Sequence, residues 1–411
     1  MSIRKRIWKS PDGVEQTAWV VNYTDQAGKR RLKTFEKKKS ADDFDSNMRN
    51  EVRTGVHTPD SSSITVGEAG DRWLAACENA GLERTTVDAY RSHLSLHIKP
   101  FLGARKLSQL SVPMVTDFER RLRDGTGTEK PRSPAMVKRV RADLGALLAD
   151  AQEEGLVARN VVREVRASRR GGKERQAERR AKPKLRVGVD IPTPTEIRTI
   201  VGVLRGALRP VLITAIFSGL RASELRGLRW PNVDLVKREI HVRERADEYN
   251  ELGRPKSGSG ERMIPVPPIV VNTLREWKLQ CAKSELNLVF PSPVGGGIVG
   301  LQYIVRRGLW PSQIAAEVSF EVLDAEGKPT KNDKGEPIMR AKYSGLHSLR
   351  HFFASWCINR KVDGGLELPA KVVQERLGHS TIAMTLDTYG HLFPRHDDSE
   401  ELAAAERALL G

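Results

Sequence analysis

Cysteine is scarce in this chain of 411 residues: Cys77, Cys281 and Cys357 stand far apart and no pair has CxxC spacing. That excludes a disulfide-stapled scaffold and a cysteine zinc module, and leaves the three as small buried hydrophobes. Long apolar runs are missing too. The best candidate, Val211 to Phe217, is interrupted by Thr214, far short of the ~20 apolar residues a spanning helix needs. The start, Met1 to Ser10, is basic, but no apolar stretch of secretory type follows it. No internal repeat is evident. The chain is expected to be soluble and cytoplasmic, with no membrane partner.

What the sequence does have is positive charge. There are 69 Lys and Arg against 52 Asp and Glu, a formal charge of +17, which points to a polyanionic partner. More than half of the excess falls between Arg159 and Arg186, where twelve Lys/Arg meet three Glu. A basic run taken alone reads as a solvated linker. It becomes a phosphate-contacting segment only if its neighbours also bind nucleic acid. Apolar residues at 39% and charged residues at 29% describe a folded chain, and its length calls for two or three domains.

The first sixty residues read as a small β-rich unit. Ala18–Tyr23 alternates around Trp19, Val21 and Tyr23, a turn follows at Gln26–Lys29, and Arg31–Phe35 forms a second strand. A polar helix over Ser40–Arg53 closes the unit, and Thr54–Ser63 is the linker. From Val66 to Arg166 apolar residues recur at three- and four-residue intervals in four stretches, with Pro113 and Pro134 where first helical turns begin. This is a bundle of about four helices. Beyond Pro192 and Pro194 the pattern mixes helices with short strands at Ile240–Val242, Met263–Val266 and Leu288–Phe290. Phe320–Tyr343, charged and with two Gly-centred turns, reads as a hairpin-like excursion.

Four segments of this last region carry chemistry. In Ser218–Leu225, SGLRASEL, Gly219 ends a buried helix begun at Pro210, and Arg221 opens the next. In Arg254–Val266, RPKSGSGERMIPV, Ser257–Gly260 holds no regular structure and Lys256 sits on a hairpin tip. In Leu346–Trp356, LHSLRHFFASW, Leu346, Leu349, Phe353 and Trp356 form a core stripe, while His347 and Arg350 share the adjacent face. His347 and His351 have metal-ligand spacing, but no third ligand follows, so metal is disfavoured. In Val372–Pro394, Gly378 ends a helix, His379 follows at once, and a second short helix carries Tyr389. Singly, each segment reads as ordinary surface or packing.

Together, the order and wording resemble the tyrosine recombinase (phage integrase) family, whose signature is an Arg, a hairpin Lys, a His-x-x-Arg pair, a further His or Trp, and a Tyr nucleophile. Arg221, Lys256, His347, Arg350, His379 and Tyr389 match all six, with Ser218-Gly219-Leu220-Arg221 and Leu377-Gly378-His379-Ser380 around them. Thr85–Tyr90 and His97–Gly103 resemble phrases of the family's core-binding domain. The resemblance implies a multidomain α+β fold. Residues 1–60 would be an arm-type DNA-binding domain, 64–166 a helical core-binding domain, 167–191 a basic interdomain linker, and 192–411 a mainly α catalytic domain with a small antiparallel sheet.

The implied activity is site-specific recombination of a mobile element through a 3′-phosphotyrosyl link. That link keeps the phosphodiester energy, so no cofactor is expected. Arg221 and Arg350 would grip the non-bridging oxygens by paired hydrogen bonds, which leaves no need for a metal. His379 would donate another bond. The resemblance gives His347 proton movement at the tyrosine and Lys256 protonation of the departing 5′-oxygen. The partners implied are double-stranded DNA at core and arm sites, a homotetramer on synapsed DNA, an excisionase and a host DNA-bending protein, in the nucleoid of a prokaryotic host. Arg84, Thr86 and Lys99 are the expected phosphate contacts of the bundle. The tail, Ser399–Leu410, reads either as a surface helix of its own subunit or, by resemblance, as a segment docking on a neighbour. The rival readings are type IB topoisomerase-like relaxation and a non-catalytic DNA-binding protein on the same fold.

Overall fold

The computed structural model describes residues 2–12, 14–24, 28–53, 63–127, 130–165, 184–255, 257–394 and 398–411. Two compact units divide the chain, Met1–Gln176 and Ala177–Gly411. The basic linker expected at 167–191 lies outside the described residues as far as 183.

The first unit begins with three antiparallel strands, β1 (Ser2–Lys9), β2 (Glu15–Thr24) and β3 (Arg30–Phe35), in the order β1-β2-β3. The register pairs Ile3 with Val21 and Trp19 with Phe35. The alternation in the sequence marks β2 and β3 but not β1. Ser2–Lys9 is almost wholly exposed, so it carries no alternating apolar signal. Helix α1 (Lys38–Arg53) covers the sheet, with the Phe44 ring against Tyr23 at 5.8 Å and Phe35 at 5.1 Å.

The helical part follows the apolar spacing closely. Helix α2 (Val66–Asn79) starts in a capping box, Thr65 accepting from the Glu68 N–H while its own N–H donates to the Glu68 carboxylate. Helix α3 (Arg84–His93) runs through a π-helical turn, Leu94–Ile98, into α4 (Lys99–Leu102). Then come α5 (Val112–Asp124), α6 (Pro134–Glu153) and the short α7 (Val161–Glu164), with Pro113 and Pro134 in first turns. Trp73, Leu94, Ile98, Phe118, Leu144 and Leu148 are buried together. Removing apolar surface of this size from water contributes roughly 1.5–3 kcal/mol per side chain.

The second unit is mainly helical: α8 (Pro194–Val203), α9 (Arg209–Ser218), α10 (Ala222–Arg226), α11 (Pro268–Gln280), α12 (Leu301–Tyr303), α13 (Trp310–Ala315), α14 (His347–Ile358), α15 (Ala370–Leu377), α16 (Ile382–Tyr389) and α17 (Asp398–Leu410). Its main sheet is antiparallel, β4 (Val233–Asp234), β5 (Glu239–Val242) and β8 (Arg262–Pro265) in the order β4-β5-β8, and a second pair joins β6 (Arg245–Ala246) to β7 (Leu252–Gly253). The strand expected at Leu288–Phe290 is reduced to one bridge between Leu288 and Arg229. Leu288, Val289 and Phe290 are buried as core instead, so their apolarity reflects packing rather than pairing. The charged excursion does fold back, β9 (Ser319–Glu321) pairing antiparallel with β10 (Met339–Ala341). Helix α9, buried almost all round, is the pillar of this core, with α11 and α14 packed on it.

Candidate active site

The site is built around the C-terminal end of one helix. Helix α15 stops at Leu377 because Gly378 turns left-handed, φ +64°. The last carbonyls of a helix have no partner within it and carry its negative dipole end. Here three arginines from distant segments take them. Arg262 Nε donates to Arg376 O at 2.8 Å, Arg350 Nη2 to Leu377 O at 2.6 Å, and Arg221 Nη2 to Gly378 O at 2.9 Å.

Each arginine is delivered by local structure. Helix α9 ends at Gly219, φ +62°, where an added Cβ would stand 2.3 Å from Phe353 Cδ1; only glycine fits. Two residues on, Arg221 precedes α10, and the Glu224 side chain accepts its backbone N–H at 2.9 Å and its Nη1 at 2.7 Å. Arg350 projects from α14, is 2% exposed, and sends Nη1 to Gly219 O at 2.5 Å. Arg262 comes from β8, its Nη2 on Glu224 at 2.8 Å and its Nη1 on Gly260 O. Ser257–Gly260 is not irregular as expected: Gly258–Gly260 makes a single 3₁₀ turn. Lys256, the hairpin lysine, lies outside the described residues.

Glu224, 3% exposed, is thus a hub for two guanidinium groups. Burial alone would raise its pKa, but hydrogen bonding and charge from Arg262, then Arg221, bring the carboxyl down to about 2. Arg350 is pulled down to about 9 by burial, with Arg221 beside it, and stays charged at neutral pH. Burial, then Arg350 and Arg221, lowers His347.

Tyr389 ends α16 with only 1% of its surface exposed. Burial pushes its phenol up to about 12 against the pull of Arg350, so it holds its proton at neutral pH. His379 stacks parallel to its ring at 6.3 Å and takes Thr385 Oγ1 on Nδ1 at 2.9 Å. That leaves His379 Nε2 for a ligand. The phenol's own hydrogen bond is with His351 Nδ1, at 2.7 Å, and the His347 ring meets His351 edge-on at 4.5 Å. Burial lowers both His351 and His379 to about 4, so both are neutral at pH 7.

Five of the six residues named from the sequence are therefore gathered here: Arg221, His347, Arg350, His379 and Tyr389. Three others belong with them. Glu224 was detectable, since an acid three residues after a helix start is a capping-box signal. The spacing of His351 from His347 suggests only a metal ligand; its nitrogen meets the phenol instead. Arg262 left no local signal, because its partners are 38 and 114 residues away. In the first unit, Arg84 opens α3 on an exposed surface, Thr86 is half-buried, and Lys99 pairs with Asp71 at 2.7 Å. The three arginines, paired histidines and tyrosine form a compact cationic cluster around a hydroxyl, chemistry suited to a phosphate diester.

Residues 193–396 match the model of the phage integrase family. Over 387 residues the chain is 24% identical to a tyrosine recombinase XerC-like protein of Caldanaerobacter subterraneus subsp. tengcongensis, spanning 90% of each chain. The Tn1549 transposon integrase, solved in complex with transposon right end DNA, is similar in fold, with TM-score 0.57 at 16% identity over 84% of this chain and 100% of that one. Lambda integrase, solved as a dimer bound to a COC′ core site, gives 0.55 at 16% identity over 95% and 97%. As a tetramer bound to a Holliday junction it gives 0.52 at 17% over 91% and 95%. The catalytic unit of this chain belongs to the phage integrase family. The protein is a tyrosine-type site-specific DNA recombinase. Among the described residues no helix is long and apolar enough to cross a membrane.

Proposed function

We propose that this recombinase is an integrase that cuts and rejoins duplex DNA through a 3′-phosphotyrosyl intermediate, moving a mobile element into or out of a larger DNA. The observation that carries the reading is the cluster that holds half-buried Arg221 and His379 beside buried Arg350 and the Tyr389 hydroxyl. Tyr389 Oη attacks the scissile phosphorus, and the departing strand end leaves as a 5′-hydroxyl that later attacks the partner strand's link. Negative charge develops on the non-bridging oxygens as phosphorus becomes five-coordinate. Arg221 and Arg350 meet it with forked donors, and His379 Nε2 adds a third. Lys256 is the acid for the leaving 5′-oxygen.

The remaining assignments rest on the family resemblance and on charge. The helices from Val66 onward and the catalytic unit would clamp the core site, with Arg84, Thr86 and Lys99 on phosphates. The basic stretch Arg159–Arg186 would track the backbone, and residues 1–60 would hold arm sites. Affinity should therefore fall steeply with salt. Four copies would assemble on synapsed DNA, and in α17 Leu402, Leu409 and Leu410 are exposed, as a segment docking on a neighbouring subunit would be. An excisionase and a DNA-bending protein would set direction.

The test is a trap. A nicked suicide duplex lets the freed strand end diffuse away, so a covalent protein–DNA adduct accumulates. Tyr389→Phe should bind the duplex as the native protein does and form no adduct. If that variant still becomes linked to DNA, the assignment is wrong.

A further inference from the structure

The phenolic hydrogen must go somewhere as Tyr389 attacks, and among the described residues His351 is hydrogen-bonded to that hydroxyl. His351 Nδ1 lies 2.7 Å from Tyr389 Oη, within the distance required of a general base. It sits on α14 one residue after Arg350, so the element that aims a phosphate-gripping arginine also aims this ring. The His347 ring packs edge-on against it at 4.5 Å, and the Tyr389 ring lies 5.7 Å away. The imidazole is thus held between two rings. Proton movement was expected of His347; the contact falls to its neighbour one turn on.

We propose that His351 is a catalytic base of strand cleavage, accepting the Tyr389 proton on Nδ1 as the phenolic oxygen bonds to phosphorus. The inference rests on Tyr389 being the nucleophile. In the forward step the Oη–P bond forms, the P–O5′ bond breaks, and the phenolic proton passes to Nδ1. The 5′-oxygen takes a separate proton from the acid. In rejoining, the 5′-hydroxyl attacks and gives its proton back to that acid, the new P–O5′ bond forms as the Oη–P bond breaks, and His351 returns its proton to the leaving phenolate. The ring must carry its resting proton on Nε2 so that Nδ1 can accept.

The surroundings suit the task. The titratable groups around His351 are His347 and Arg350 on its own helix, Tyr389 on α16, and Asp190 from the segment before α8. Burial, then His347 and Arg350, disfavours the imidazolium, while Asp190 favours it. The resting ring is consequently unprotonated at neutral pH, ready to accept. An entering phosphate adds negative charge beside Arg350 and steadies the imidazolium once it forms.

The experiment uses the full chain and a nicked suicide duplex carrying the crossover sequence that the protein selects from a random duplex pool. The 5′-bridging oxygen at the scissile position is replaced by sulfur. A thiolate leaves without a proton, so the acid drops out of the measurement. Single-turnover adduct formation is followed from pH 6 to 9 for the native protein, His351→Asn and His351→Phe. His351→Asn keeps a hydrogen-bonding atom near the Nδ1 position but is no base, and His351→Phe keeps the ring packing. Both should bind the duplex with native affinity and react roughly 10²–10⁴-fold more slowly at pH 7. The native rate should be flat over the range. The variant rates should climb tenfold per pH unit, because hydroxide must now take the proton. Native rates in His351→Asn, or a slowing that is the same at every pH, would overturn the proposal. Adduct formation by Tyr389→Phe, run alongside, would instead overturn the nucleophile assignment on which it rests.

Discussion

Replacing Glu224 by glutamine tests whether the hub carboxylate holds the site's arginines in place. The side chain is 3% exposed and binds Arg221 and Arg262. Its carboxyl stands at about 2 instead of the ordinary 4.5. At ~1.4 kcal/mol per pH unit, that difference makes the ionised form worth about 3 kcal/mol to folding at neutral pH. The folded pKa is depressed, so this stabilisation is fully present above pH 4.5. It fades as pH falls from 4.5 through 2. Breaking a buried pair by removing one partner typically costs on the order of 3–5 kcal/mol, which brackets the same loss. Glu224→Gln should therefore lose about 3 kcal/mol at pH 7, and the gap to the native protein should narrow steadily below pH 4.5. Two units make global unfolding a poor probe. Hydrogen exchange read by mass spectrometry on peptides from residues 210–226 and 370–390 reports the affected unit alone. A variant as protected as the native protein at pH 7, or a deficit equal at pH 7 and pH 3, would refute the hub.

Three further outcomes can be checked. Arg221→Lys cannot make the Glu224 and Gly378 bonds in fork geometry, so adduct yield should drop about 10²-fold with DNA affinity retained; unchanged cleavage would remove paired hydrogen bonding from the mechanism. Gly219→Ala forces a Cβ into Phe353 at a positive φ, and hydrogen exchange of peptides from residues 210–226 in the full chain should show a loss well above ~1 kcal/mol; native protection would contradict that packing. Deleting residues 398–411 should leave single-site binding intact in gel shifts while abolishing synapsis, and a fully active deletion would end the docking role of α17.

Periodicity exposed most of the helices, because each buries one face against a core: Trp73 and Leu74 in α2, or Leu349 and Phe353 in α14. The strand β1 was invisible since its side chains face solvent, and Leu288–Phe290 misled because burial and β-pairing both favour apolar residues. At the site, spacing was enough to mark Arg221, His347, Arg350, His379 and Tyr389, which the fold gathers. It could not reveal Arg262 meeting Arg376 across 114 residues, nor that the phenol leans on His351 and not His347. Those contacts depend on how α14, α15 and β8 cross, which no local pattern records.

The finish of α15 ties charge to architecture. Arg221, Arg262 and Arg350 are simultaneously the cations of the site and the plugs of a helix end, so neutralising any of them leaves a stranded carbonyl as well as a weaker field. Softening this pocket by small steps is thereby blocked. A lineage that abandoned the chemistry while keeping the fold would first have to invent another way to terminate that helix.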